Sequence, residues 1–122
     1  MSAGKKTLIL GASANPSRYS YLALHRLRKA GHPVEAIGRK EVIVGDVHVR
    51  TDKAALEGID TVTLYLSPAH QREYYDYILS LHPKRIVFNP GAENDELTAL
   101  AEANNIYAQE ACTLVLLSTG QY

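Results

Sequence analysis

The sequence predicts an α/β domain with a mostly parallel sheet between two layers of helices. Three observations carry this expectation. Short apolar runs rich in Val, Ile and Leu recur along the chain, the pattern of strands buried on both faces. Between them lie segments whose apolar residues fall at helical spacing. Gly, Pro or Asn punctuates most junctions, and the loops are as short as a compact domain requires. Strands linked through helices need right-handed crossovers, which place a parallel sheet in the middle layer. The expected architecture is therefore a three-layer Rossmann-type fold of one domain, residues 1–122. Its sheet is expected to hold five strands in the order 3-2-1-4-5, with a small hairpin beside it.

The elements follow in order. Lys6–Leu10 (KTLIL) is a buried-strand run ended by Gly11. Asn15 or Ser17 can cap the next helix, with Pro16 suited to its first turn. Tyr19–Ala30 carries Ala23, Leu24, Leu27 and Ala30 at helical spacing, and Gly31 stops it. Val34–Ile37 reads as a second strand. Val42–Val44 and Val47–Val49, joined through Gly45-Asp46, read as the hairpin. Asp52–Leu56 is expected to make one or two helical turns. Asp60–Leu66 (DTVTLYL) is a strand, and Ser67-Pro68 opens a helix that runs to about Leu81. Arg85–Phe88 is a strand ending in Asn89-Pro90-Gly91. Glu93–Asn104 is an Ala/Leu/Glu helix, Ile106–Gln109 the last strand, and Thr113–Leu117 an apolar segment.

With 122 residues the chain can bury one sizeable core, and 46% hydrophobic with 21% charged residues is an ordinary globular balance. No apolar run approaches the length of a membrane span, and no signal-peptide core follows the basic start. Cys112 is the single cysteine, so no internal disulfide can form, which fits a reducing cytoplasm. The net charge of zero conceals an asymmetry: residues 1–53 hold ten Lys/Arg against four acids, the remainder three against nine. Such a split points to a polyanionic ligand held by the N-terminal half. Arg26, Arg28 and Lys29 fit a solvated helix face better. The dense basic run with interleaved aromatics that marks a nucleic-acid surface is missing.

In a sheet of this kind ligands bind beyond the carboxyl ends of the strands, where the strand order reverses. The residues just past the strands are Gly11-Ala12-Ser13, Gly38-Arg39-Lys40, Ser67-Pro68, Asn89-Pro90-Gly91 and Glu110-Ala111-Cys112. The first group leads into a helix N-terminus, a natural place for phosphate. The dinucleotide fingerprint wants Gly at its first, third and sixth positions, and here those are Gly11, Ser13 and Pro16. NAD also wants an acid after the second strand, where this chain has Arg39-Lys40, a pair suited to a ribose-bound phosphate as in NADP or coenzyme A. Arg18 can fork onto a phosphate or onto an internal carboxylate. Ser20 can donate to phosphate or cap the helix, and Tyr19 can line a pocket or pack.

Gly11-Ala12-Ser13, Pro16, Arg18 and Ser20 after the first strand resemble the small stand-alone CoA-binding domain proteins. These share the fold of the N-terminal CoA-binding domain of the succinyl-CoA synthetase alpha subunit. Tyr65-Leu66-Ser67-Pro68, Phe88-Asn89-Pro90-Gly91 and Glu110-Ala111-Cys112-Thr113 extend the resemblance over nearly the whole chain. It implies that Gly11, Ala12, Ser13, Arg18, Tyr19 and Ser20 contact the phosphates of coenzyme A or an acyl-CoA. It places Gly38, Arg39 and Lys40 near the adenosine 3′-phosphate, and Leu66, Ser67, Pro68 and Gln71 on the adenine and ribose side. Asn89, Pro90, Gly91 and Cys112 fall near the outgoing pantetheine arm. Relatives commonly carry Asn-Pro after the second strand, where this chain has Gly38-Arg39.

Those synthetases use a phosphorylated His in a second domain that this chain is expected to lack, so binding without catalysis is the leading expectation. His70 is the one histidine placed to act as an acid or base, and a helix-turn hydrogen bond is the commoner role there. Cys112 could meet the thiol of CoA, although an inert buried cysteine is the more frequent case. No His, Cys or carboxylate cluster has metal-ligand spacing. Glu93, Asp95 and Glu96 suit the first turn of a helix. Two other functions stand beside this one: an NADP-binding reductase subunit, and a protein-interaction subunit with a vestigial nucleotide loop. The latter, or a homodimer, would use Tyr74-Tyr75 with Tyr77 and the segment Thr113–Leu117.

Overall fold

The computed structural model describes residues 4–122. Seven strands form one sheet in the order β3-β4-β2-β1-β5-β6-β7. They are β1 (Thr7–Ala12), β2 (Val34–Gly38), β3 (Val42–Val44), β4 (Val47–Arg50), β5 (Thr61–Leu64), β6 (Arg85–Phe88) and β7 (Tyr107–Glu110). Every neighbouring pair is parallel except the β3–β4 hairpin. The Rossmann-type class holds, with two corrections to the expected sheet. The hairpin is part of it, because β4 pairs in parallel with β2 (Ala36↔Val49, Ile37↔Arg50). The five expected strands accordingly run 2-1-3-4-5: β4 fills the place outside β2, and β5 pairs with the other side of β1.

Side chains alternate between the sheet's two faces, and each face has its own core. Leu8, Leu10, Val62, Leu64, Ile86 and Phe88 pack with Ile78, Leu97 and Ala101 from α3 (Tyr75–Ser80) and α4 (Asp95–Ala103). Ile9, Ala36, Val87 and the hairpin's Val44, Val47 and Val49 pack with Leu24, Leu27 and Leu116 from α1 (Tyr19–Lys29) and α5 (Thr113–Ser118). Burying valines on one face is what draws the hairpin onto the sheet.

Four local expectations are revised. Asp52–Leu56 has no helix. The helix expected from Ser67 to Leu81 is broken into α2 (Pro68–Gln71), a 3-10 turn (Arg72–Tyr74) and α3. The apolar segment Thr113–Leu117 is α5 and lies against α1. Neither Asn15 nor Ser17 caps α1, whose N-cap residue is Arg18. Asn15 Oδ1 instead accepts from the Ser17 amide at 3.0 Å and from Ser17 Oγ at 2.8 Å, closing the turn ahead of the helix.

Candidate functional site

After β1 the chain moves outward through β2 and the hairpin, then returns to pair β5 with the opposite side of β1. The crevice of this sheet therefore opens between the carboxyl ends of β1 and β5. Gly11 sits there at φ +93°, at an irregularity in the β1–β2 register between Leu10 and Ala12. A Cβ on it would lie 2.8 Å from the Tyr65 carbonyl oxygen and 3.1 Å from Leu66 Cδ2, so only glycine brings these loops together. Gly38 closes the same edge on the β2 side, where a Cβ would collide with the Ala12 carbonyl oxygen.

The loop leaving Gly11 is stapled by its own side chains. The Asn15 amide donates to Ser13 Oγ at 3.0 Å, and the Arg18 amide to the Asn15 carbonyl at 3.0 Å. It delivers α1 with its first turn facing the crevice and without a capping side chain, which leaves amide donors for an anion. Arg18, Tyr19, Arg39 and Lys40 are exposed around this opening, whereas Ser20 is buried. Three other cations of the N-terminal half have carboxylate partners: Arg28 pairs with Asp46 at 2.6 Å, Arg50 with Asp52 at 3.1 Å, and Lys6 lies 3.8 Å from Glu35. The guanidinium hydrogen bonds hold the Asp46 and Asp52 carboxyls below their ordinary range. Among the described residues Arg18, Arg39 and Lys40 form no ion pair. Charge without a carboxylate partner is thus present where β1 and β2 stop.

The β5 and β6 side of the crevice is built differently. Gln71 is fully buried, and its Nε2 donates to the Leu66 and Ala92 carbonyls, each at 2.8 Å. Its Oε1 accepts from Asn94 Nδ2 at 2.9 Å. Asn89 is buried too: Nδ2 donates to Thr63 Oγ1 and the Leu64 carbonyl, and Oδ1 accepts from the Thr113 amide. Both side chains thus spend their hydrogen bonds inside the chain, tying the loops after β5 and β6 to each other and to α5. Leu66, Ser67, Pro68, Pro90 and Gly91 are the parts of these loops that reach solvent. The Gly91 amide donates to Glu93 Oε1 at 2.8 Å.

Cys112 follows β7 as the N-cap residue of α5, half-buried and free. Beside it the Tyr65 ring lies against the α1–α5 core. The Tyr65 hydroxyl is buried near the Thr63 and Thr113 hydroxyls, which lie 2.8 Å from each other, and it makes no hydrogen bond of good geometry among the described residues. Burial above all pushes its phenol well above the ordinary tyrosine range. Ser67 Oγ and His70 Nδ1 are 2.8 Å apart on the exposed rim. No group of three or more His, Cys, Asp or Glu placed to hold a metal occurs among the described residues.

Of the residues singled out in the sequence, those after β1 and β2 converge with Leu66, while Ser67 and Pro68 form the outer rim and Asn89 and Gln71 brace it from within. The tyrosines of the α2–α3 segment are half-buried and anchored: Tyr77 Oη donates to the Ala54 carbonyl at 2.6 Å, and Tyr75 Oη accepts from Asn94 Nδ2. Sequence reasoning did not single out Thr63, Thr113 or Asn94 as support for the edge. The signal for Thr63 was present, because a hydroxyl in a strand as apolar as DTVTLYL requires a partner.

Comparison with solved structures places this architecture among known ones. A crystal structure described as that of an uncharacterized protein is 48% identical, covering 99% of this chain and 100% of its own, with a TM-score of 0.95. A Thermus thermophilus protein matches at 17% identity, 98% and 91% coverage and a TM-score of 0.85. A hypothetical protein from Pyrococcus horikoshii OT3 matches at 20% identity, 95% and 83% coverage and a TM-score of 0.81. The last two show a shared fold. No curated protein sequence matches the chain. Among the described residues no helix is long and apolar enough to cross a membrane. Residues 5–118 match the CoA binding domain family, and the chain belongs to it.

Proposed function

We propose that the chain binds coenzyme A across the carboxyl ends of β1, β2, β5 and β6. The observation that carries this reading is the exposed set of Arg18, Arg39 and Lys40 in the segments that follow β1 and β2. These cations have no ion pair among the described residues and lie beside the glycine-formed crevice of a CoA binding domain. In this reading the 5′-diphosphate lies on Gly11–Ser13 and the first turn of α1, with Arg18 forked onto it. Tyr19 and the buried Ser20 flank that turn. Arg39 and Lys40 take the 3′-phosphate, for which Gly38 lets the backbone pass close to β1. The adenosine rests against Leu66, Ser67 and Pro68, whose loop Gln71 holds. The pantetheine arm passes Pro90 and Gly91, above Asn89, towards Cys112.

The role is binding, in a chain we place in the cytoplasm as a single domain; an NADP-binding subunit is the competing reading. Calorimetric titration with CoA, dephospho-CoA and NADPH separates them. CoA is expected to bind tightest, and dephospho-CoA about tenfold or more weakly for losing a charged contact worth about 1.5–3 kcal/mol. A preference for NADPH, or equal affinity for CoA and dephospho-CoA, would overturn the assignment.

A further inference from the structure

The sheet has two open edges, β3 and β7, and they are built differently. β3 is three residues long, with the exposed charges of Lys40 and Glu41 before it and Asp46 after it. Shortness and flanking charge keep an edge from pairing with another chain. β7 lacks the charge. From Ile106 to Ala111 the one charged residue is Glu110, and there is no Pro, Lys or Arg. Its register with β6 runs without a bulge from Arg85↔Tyr107 to Phe88↔Glu110. The Tyr107 amide donates to the Lys84 carbonyl at 3.0 Å, and the Ala111 amide to the Phe88 carbonyl at 3.1 Å. Backbone groups alternate in direction along a strand, so Tyr107, Gln109 and Ala111 face β6, while the N–H and C=O groups of Ala108 and Glu110 face outward. On the face shared with Arg85 and Val87, the Tyr107 ring is 59% exposed. Two residues on, Gln109 Oε1 accepts from Nη1 of the buried Arg85 at 3.1 Å.

We infer that β7 pairs antiparallel with β7 of a second copy, about a two-fold axis normal to the sheet at Ala108. Such an axis keeps each face of the sheet on its own side, so it must pass through one residue of the strand and its symmetry mate. Charge selects among the choices. An axis at Glu110 sets two carboxylates opposite each other, and one at Gln109 leaves them on the diagonal, both unfavourable for like charges. An axis at Ala108 places Glu110 opposite the partner's Ile106 and keeps the two carboxylates apart. The two Ala108 residues then exchange both N–H···O bonds through groups that already face outward. Each exposed Tyr107 ring comes to lie opposite the partner's Gln109 on the same face, against an amide that Arg85 holds in place. Pairing of β7 with another copy's β3 would be head-to-tail and leave free edges at both ends, whereas β7 on β7 closes at two copies. One short strand pair buries less than the roughly 800 Å² per partner of a standard interface, so the dimer dissociates on the order of 10 μM.

The test is sedimentation equilibrium of the whole chain at concentrations on either side of that value. The wild type is expected to pass from one copy to two and no further. Tyr107→Lys places a cation opposite the partner's Gln109, beside Arg85, and is expected to weaken the dimer about tenfold or more. Ala108→Pro removes an outward N–H without touching the bonds to β6, and is expected to stay monomeric. Circular dichroism checks that both variants fold; Tyr107→Lys changes an exposed side chain, so it decides the matter if Ala108→Pro does not fold. A wild type that stays monomeric throughout overturns the inference. So does a dimer that Tyr107→Lys, or folded Ala108→Pro, leaves as tight as before, because another surface then holds it. Association that grows beyond two copies also overturns it, since the contact then does not close.

Discussion

Gln71 and Gly38 act on the crevice in opposite ways, one by filling space with bonds and the other by leaving it empty. Gln71→Leu keeps the volume but removes the three hydrogen bonds to Leu66, Ala92 and Asn94. Two buried carbonyls then lose a donor, at about 1–3 kcal/mol for each group left unsatisfied. The expected result is a denaturant midpoint lowered by the equivalent of about 2–4 kcal/mol, and weaker CoA binding as the Leu66 loop loosens. An unchanged midpoint would show that the Gln71 bonds do not brace the rim. Gly38→Ala has no room against the Ala12 carbonyl oxygen, so β1 and β2 must part where they end. That overpacking is expected to cost about 1–3 kcal/mol, and calorimetry on the folded variant should show CoA affinity reduced. The position of Gly38 at the end of a strand was readable in the sequence, whereas Gln71 was reached only through the family resemblance. The direction of the Gln71 amide was not readable, because a glutamine serves a ligand or a carbonyl equally well, and burial decides between them.

At the scale of elements, α4 shows how a helix start and the rim share residues. Asn94 is its N-cap: Oδ1 accepts from the Leu97 amide at 3.1 Å, while Nδ2 donates to Gln71 Oε1 and Tyr75 Oη. Asn94→Ala is therefore expected to cost more than the usual cap loss of about 1 kcal/mol. Asn94→Asp keeps the cap and brings a charge suited to the helix N-terminus, but loses both donated bonds. Comparing the two by chemical denaturation separates the contributions: Asp is expected to fall between wild type and Ala, and an Asp variant as stable as wild type would mean that the two donated bonds contribute nothing. Elements with strong periodicity were legible, among them KTLIL, RIVF and the Leu24/Leu27 stripe. The hairpin was legible as a hairpin yet not as part of the sheet, because its parallel pairing with β2 is a long-range choice made by burying Val44, Val47 and Val49. The break between α2 and α3 carries no proline or glycine to announce it: residues 69–81 hold neither.

The whole molecule has two unlike ends, and the amino end of the sheet closes by contacts that span most of the chain. Tyr122 Oη and Thr7 Oγ1 are 2.6 Å apart, Lys5 Nζ donates to the Tyr122 carbonyl at 2.6 Å, and the Arg85 guanidinium lies 4.4 Å from the Tyr122 ring centroid. The His32 ring meets the same tyrosine edge-on at 5.0 Å, and its Nδ1 accepts the Lys5 amide at 2.9 Å. Burial first, then the Lys5 and Arg85 charges, hold the His32 imidazole below its ordinary value, with Asp60 opposing. The folded chain therefore favours neutral His32, while the unfolded chain takes up a proton near pH 6.5. Where the unfolded state binds more protons, stability rises with pH. The His32 contribution is thus fully present above about pH 6.5 and is lost as pH falls from there through the lowered folded value. Thermal midpoints from pH 8 to pH 5 should decline in the wild type below about 6.5. They should decline less over that interval in His32→Asn, whose amide oxygen can still accept the Lys5 N–H without titrating. Parallel curves for the two proteins would show that this edge does not respond to His32.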